Sequence, residues 1–131
     1  MHIGHISLLV ADYDEAIDFY TQKLGFVVLE DTLLSPQKRW VLVSPSPTSE
    51  CSLLLAKAAN EDQQMQIGRQ SGGRVFLFLY TDTFWETYEH LKAQGVIFLE
   101  SPRQEPYGCV VVFQDLYGNK WDLLENKKPK S

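Results

Sequence analysis

Chemistry in this chain has to come from single side chains, because the local motifs that announce a reaction are absent from its 131 residues. There is no glycine-rich phosphate loop, no G-x-S-x-G elbow and no H-E-x-x-H zinc pair. Cys51 and Cys109 each lie in an apolar, strand-like run and form neither a C-x-x-C pair nor part of a zinc pattern, which predicts two buried, reduced thiols. Arg69-Gln70-Ser71-Gly72-Gly73 contains glycines but does not follow a strand and open a helix, so it reads as a flexible joint. What remains is proton and oxyanion chemistry. An imidazole such as His5 ionises near neutral pH by residue type and can carry a proton. A guanidinium such as Arg74 can hold a carboxylate or enolate-like oxygen through two parallel hydrogen bonds. A carboxylate such as Asp122 can act as a general base or as an ion-pair partner. The structural alternative is that Arg74 and Asp122 neutralise one another across a sheet while His5 is a hydrogen-bonded strand residue.

An internal repeat supplies the elements that would position such groups. Shifting the chain by about 70 residues pairs Asp12 with Asp82, Gly25 with Gly95, and 26–30 with 96–100. The same shift lays 39–43 on 109–113, and Cys51-Ser52-Leu53-Leu54 on Trp121-Asp122-Leu123-Leu124. Each repeat reads as strand, helix and three strands. Asp12 with Glu15, and Thr83 with Glu86, have the spacing of capping boxes; Ile17, Tyr20 and Leu24, and Phe84, Tyr88 and Leu91, form the apolar helix stripes; Gly25 and Gly95 end the helices. Asp115-Leu116-Tyr117-Gly118-Asn119 predicts a tight turn, with Gly118 at positive φ. The runs 75–79 and 110–113 are apolar at successive positions, which predicts burial on both faces. Trp85 and Trp121 are expected in helix and sheet packing. The expected organisation is a single domain over 1–131, with module one about 1–57, a linker 58–72 carrying one helical turn near Glu61 to Ile67, module two about 73–126, and a tail 127–131.

With 44% hydrophobic residues and a net charge of −5, the chain can build a core and offers little to nucleic acid or to an anionic membrane. The one basic run, Lys127-Lys128-Pro129-Lys130, reads as a frayed end. No apolar stretch is long enough to span a bilayer, and Met1-His2-Ile3-Gly4 leads directly into a strand pattern, so a cytoplasmic protein is expected.

His5-Ile6-Ser7-Leu8-Leu9-Val10 with Asp12, Ala16, Phe19-Tyr20 and Leu24-Gly25-Phe26 resembles the opening signature of the vicinal oxygen chelate superfamily of glyoxalases, extradiol dioxygenases and bleomycin-resistance proteins. Phe113-Gln114-Asp115-Leu116-Tyr117-Gly118-Asn119 with Leu123-Leu124-Glu125 is similar to its closing motif. The resemblance implies an α+β fold of two β-α-β-β-β modules forming a curved, cup-like mixed sheet with helices on the outer face. It also implies ligand positions on the first and last strands of each module, at His5, Ser52, Arg74 and Asp122. A tight divalent site wants three or four nitrogen, sulfur or carboxylate donors. Only His5 and Asp122 qualify; Arg74 would repel a metal, and Glu50 and Glu125 fall on the opposite strand face. The expected function is therefore binding of a small, partly apolar, oxygen-bearing ligand, with His5 and Asp122 as the catalytic or metal candidates of an incomplete set. Arg74, Ser52, Phe76, Phe78, Trp40 and Tyr107 are the substrate-binding candidates, and no cofactor is expected. The alternatives are a metal-dependent lyase, isomerase or dioxygenase of the same superfamily, and a dimeric scaffold without a ligand site. A homodimer is expected in each case, from family habit and from exposed sheet edges.

Overall fold

The structure is a computed structural model, which describes residues 1–126; the basic run 127–130 lies outside the described residues. The protein is mixed α+β with two open mixed sheets, and it divides between Gln70 and Ser71 into two compact units.

In the first unit, β1 (His5–Val10) leads into α1 (Tyr13–Asp18), which continues as a π-helical turn over Phe19–Lys23. Strands β2 (Val27–Ser35), β3 (Lys38–Ser44) and β4 (Ser52–Lys57) follow, in sheet order β1-β4-β3-β2, with β1 and β4 parallel. Asp12 caps α1 through its carboxylate, which accepts the Glu15 N–H at 2.9 Å, and Gly25 ends the helical segment at φ 76°. The buried stripe consists of Tyr13, Ala16, Phe19 and Tyr20, whereas Ile17 and Leu24 are only half-buried. The π-helical turn rotates the later side chains away from the face that ordinary helical spacing predicts. This face packs on Leu8, Val10, Val41, Val43, Leu53 and Leu55. The free edge of β1 is covered by a side chain: the Gln70 amide accepts the Leu9 N–H and donates to the Ser7 carbonyl, standing in for a neighbouring strand. The expected helical turn before it is α2 (Glu61–Gln66), capped by Asn60.

In the second unit, β5 (Val75–Thr81), α3 (Phe84–Ala93), β6 (Ile97–Phe98), β7 (Arg103–Glu105), β8 (Gly108–Gln114) and β9 (Lys120–Glu125) form a sheet of order β5-β9-β8-β6, with β7 also on β8. Phe84, Tyr88 and Leu91 are buried as expected, and Phe98, Phe113 and Trp121 continue the aromatic core. Three expectations change. Thr83 makes no capping bond to the helix, because its hydroxyl is engaged with those of Thr81 and Thr87. Trp85 is not a buried packing residue; it is 55% exposed and makes edge-on ring contacts with Phe84 and Tyr88. Burial on both faces holds for β8 but not for β5, where Phe78 and Tyr80 stay 57% and 58% exposed. The second apolar face of β5 therefore lines open space rather than core.

The two helix starts give a direct test. Asp12→Ala removes a formed cap and should lower stability by about 1 kcal/mol, whereas Thr83→Ala should cost less, by urea denaturation.

Candidate functional site

One face of each sheet is covered by its helix, and strand alternation sends every second side chain to the other, open face. In the first unit that face carries His5, Ser7 and Leu9 from β1, Ser52, Leu54 and Ala56 from β4, and Trp40 from β3. Three of the sequence candidates meet here. His5 Nδ1 is hydrogen-bonded to the Ser52 hydroxyl at 2.8 Å, a contact that follows from the pairing of His5 with Ser52 between β1 and β4. The His5 ring also meets Trp40 edge-on, with centroids 5.9 Å apart.

In the second unit, a cavity of about 510 Å³ lies on the open face, walled by Phe78, Tyr80, Tyr107, Leu124, Glu125 and Asn126 around Asp122. The β5–β9 register sets Phe78 directly beside Asp122. One carboxylate oxygen of Asp122, Oδ1, is buried with no hydrogen-bond partner. Burial holds this carboxyl above the ordinary carboxylate value; Arg103 pulls it back down and Glu100 pushes it further up. Burying a carboxylate oxygen without a donor is costly, and that cost is what raises this carboxyl.

Arg74 does not join this cluster. It is exposed ahead of β5, its backbone is tied to Ser71, and among the described residues it makes no ion pair with Asp122. Mutual neutralisation is therefore not the arrangement: Asp122 sits beside Phe78, well along the strand from Arg74. Phe76 falls where the β5–β9 register shifts, between Val75 and Leu77, and is not in the wall of the cavity. Tyr80, Leu124 and Glu125 do line it, although they were not candidates. Tyr80 continues the Phe76, Phe78 alternation and was legible there. Glu125 was not, because strand parity puts it on the opposite face. At the end of β9 its side chain folds over Gly108, whose added Cβ would lie 3.3 Å from both Glu125 Cβ and Oε1.

The register also corrects the equivalence of the modules. Val43 faces Leu53, and Phe113 faces Trp121, so the 70-residue spacing holds for β3 and β8 but not for the strands after them. The connection 115–119 is two residues shorter than 45–51, which makes Lys120 the counterpart of Ser52, and Asp122 that of Leu54. Val10 and Thr81 accept the N–H groups just after β4 and β9, and β5 shifts register between Val75 and Leu77, so Val75, the partner of Lys120, stands where His5 pairs with Ser52. Of the four corresponding positions, His5, Leu54, Val75 and Asp122, two carry hydrocarbon. Those residues do not fit a catalytic divalent metal, and among the described residues no three His, Cys, Asp or Glu side chains gather as metal ligands would. Burial raises the Cys109 thiol, and Glu125 adds to the effect.

Fold and site together define a class of two-module α+β proteins with an open-faced pocket. A family model for the Glyoxalase/Bleomycin resistance protein/Dioxygenase superfamily matches residues 2–123. The chain belongs to that superfamily. It is 54% identical over 130 residues to an uncharacterized protein of Shewanella frigidimarina (strain NCIMB 400), covering 97% of this chain and 96% of that one. Among solved structures it is similar to UcmS2, with a TM-score of 0.83 and 31% identity over 95% of this chain and 97% of that one. It is also similar to TnmS3, an antibiotic binding protein from Streptomyces sp. CB03234, with a TM-score of 0.79 and 28% identity over 97% of both chains. No helix among the described residues is long and apolar enough to cross a membrane.

The raised Asp122 carboxyl has a signed consequence. The folded state holds that proton more tightly than the unfolded chain does, so this group's contribution to stability falls as pH rises above the ordinary value of 3.8. Asp122→Asn should therefore gain in Tm relative to the native chain between pH 3.5 and pH 7; a difference that does not change with pH would contradict the burial.

Proposed function

We propose that this protein binds a small, partly apolar, oxygen-bearing molecule on the open face of its second sheet, without a catalytic metal and without turnover. The observation that carries this reading is a cavity walled by Phe78, Tyr80, Tyr107 and Leu124 with the Asp122 carboxyl in its lining. Pockets that hold small molecules combine apolar walls with a few placed polar groups, and this one has that composition. The likeness to TnmS3, an antibiotic binding protein, supports the same reading. In it the ligand's ring lies against Phe78 and Tyr107 while its hydroxyl donates to Asp122, and His5, Ser52 and Trp40 offer a smaller polar patch on the first sheet. A metal-dependent lyase, isomerase or dioxygenase is the second reading, favoured by an imidazole and a carboxylate at two of the four corresponding positions.

The test is titration with 2-naphthol followed by amide chemical shifts. Shifts are expected at 78, 80, 107, 122 and 124, with affinity reduced about tenfold in Phe78→Ala and in Asp122→Ala, and unchanged in Arg74→Met. Absence of shifts in this set would overturn the proposal. Against the second reading, the purified protein should carry less than stoichiometric metal and keep its Tm on chelation. Stoichiometric metal that is lost together with stability in His5→Ala would instead favour the enzyme.

The protein is further proposed to act in the cytoplasm as a homodimer. Val28, Leu29, Leu33 and Leu34 are exposed on the edge strand β2, an apolar surface that association would cover. Sedimentation equilibrium should give a dimer for the native chain and a monomer for Leu33→Lys/Leu34→Lys; a native monomer would refute the assignment.

A further inference from the structure

In the first unit, β3 and β4 are paired from Val43 with Leu53 to Val41 with Leu55 and no further, although β3 begins at Lys38 and β4 runs on to Lys57. Where the next hydrogen-bonded rung would fall, the Arg39 N–H donates instead to the Tyr13 hydroxyl at 3.2 Å. A cavity of about 540 Å³ opens where the two strands part, and its wall includes Tyr13, Lys38, Trp40, Ala56, Lys57 and Ala58.

Tyr13 is the polar group that this cavity leaves unfinished. Its side chain is only 8% exposed, and a phenol hydroxyl can donate one hydrogen bond besides those it accepts. The Arg39 N–H uses an accepting position; among the described residues nothing accepts the hydroxyl proton. An acceptor brought into the cavity would complete it.

The charges in the wall select the kind of acceptor. Arg39 is already engaged, donating twice to the Asp31 carboxylate and once to Asp14 at 2.9 Å. Lys38 and Lys57 are not: among the described residues neither pairs with a carboxylate. Although the chain carries a net charge of −5, no Asp or Glu lines this cavity. The Trp40 indole, with Ala56 and Ala58, gives the remainder an apolar surface, and the indole is braced edge-on against His5.

We infer that this cavity is a binding site for a small aromatic carboxylate, whose anionic end accepts from the Tyr13 hydroxyl and the Lys57 and Lys38 ammonium groups while its ring lies against Trp40. The buried phenol supplies a fixed direction, and the two lysines supply charge on flexible stems that reach the anion from either strand. A neutral ring compound would keep the indole contact and lose both charge-assisted bonds. A cation would meet positive potential from both lysines. The site lies wholly within the first unit and shares no lining residue with the cavity around Asp122.

Three ligands of similar shape test the inference: 2-naphthoate (anion), 2-naphthamide (neutral) and 2-(aminomethyl)naphthalene (cation), each titrated into the full chain and followed by amide chemical shifts. Naphthoate should shift amides at 13, 38–40 and 56–59 and bind at least about tenfold more tightly than naphthamide, with the amine silent there. Lys57→Gln and Tyr13→Phe should each weaken naphthoate several-fold, whereas Lys92→Gln, on α3 of the second unit, should change nothing. Tyr13→Phe also removes the bond to Arg39, so its Tm is measured alongside, and the exposed Lys57 carries the test if that variant unfolds. Equal affinity for naphthoate and naphthamide, or undiminished affinity in Lys57→Gln, would overturn the inference. So would an equal loss in Lys92→Gln, or naphthoate shifts confined to 78, 80, 107, 122 and 124.

Discussion

Buried at the end of β8, the Asp115 carboxylate accepts the N–H groups of Tyr117 and Asn119 through one oxygen and the Asn119 side-chain amide through the other, each within 3.0 Å. A buried carboxylate with this many donors is fixed in position. The turn it closes sets the length of the connection into β9, and that length sets which residues of β9 stand opposite β8 and β5. Because strand side chains alternate with period two, a slip of one residue would turn Asp122 and Leu124 toward the helix and Trp121 and Leu123 into the open. The candidate site therefore rests on the turn as much as on its own side chains.

The first module reaches the same architecture with a longer connection and without that carboxylate, and its last strand comes out displaced by two residues relative to the repeat. An even displacement keeps every side chain on its expected face while exchanging the neighbours. Leu54 thereby becomes the partner position of Asp122, and Ser52 comes to face His5. The modules thus share a fold and differ in what the open face carries: an imidazole, a hydroxyl and an indole in one, a carboxylate amid aromatic rings in the other. Divergence of this kind suits a fold that serves many chemistries, since the helix-facing sides of the strands hold the core and leave the opposite sides free to change.

Much of this was legible in the sequence, for reasons that differ by element. Asp12, Gly25, Gly95 and Gly118 act through local backbone conformation, so their roles are visible at short range, and three of them have positive φ in the structure. The stripe Phe84, Tyr88, Leu91 follows an ordinary helix period and was correctly read. Leu24 was misplaced because the helix widens into a π-turn at Phe19, which pattern counting assumes away, whereas Ile17 lies in the regular helix before it, beside the face that Tyr13 and Ala16 bury. Trp85 was misjudged because size and apolarity favour burial, whereas its place on α3 turns it outward.

By itself, the sequence determined the repeat, the strand and helix order apart from the short β7, and the family, since these follow from periodicity and from short motifs repeated along the chain. Tertiary structure decided the register between distant strands, and with it that Asp122 meets Phe78 rather than Arg74 and that Glu125 reaches the cavity by folding over Gly108. Those outcomes depend on pairings between residues tens of positions apart and on connections differing by two residues. Hydrophobic alternation is unchanged by an even shift, so it carries no record of which register forms.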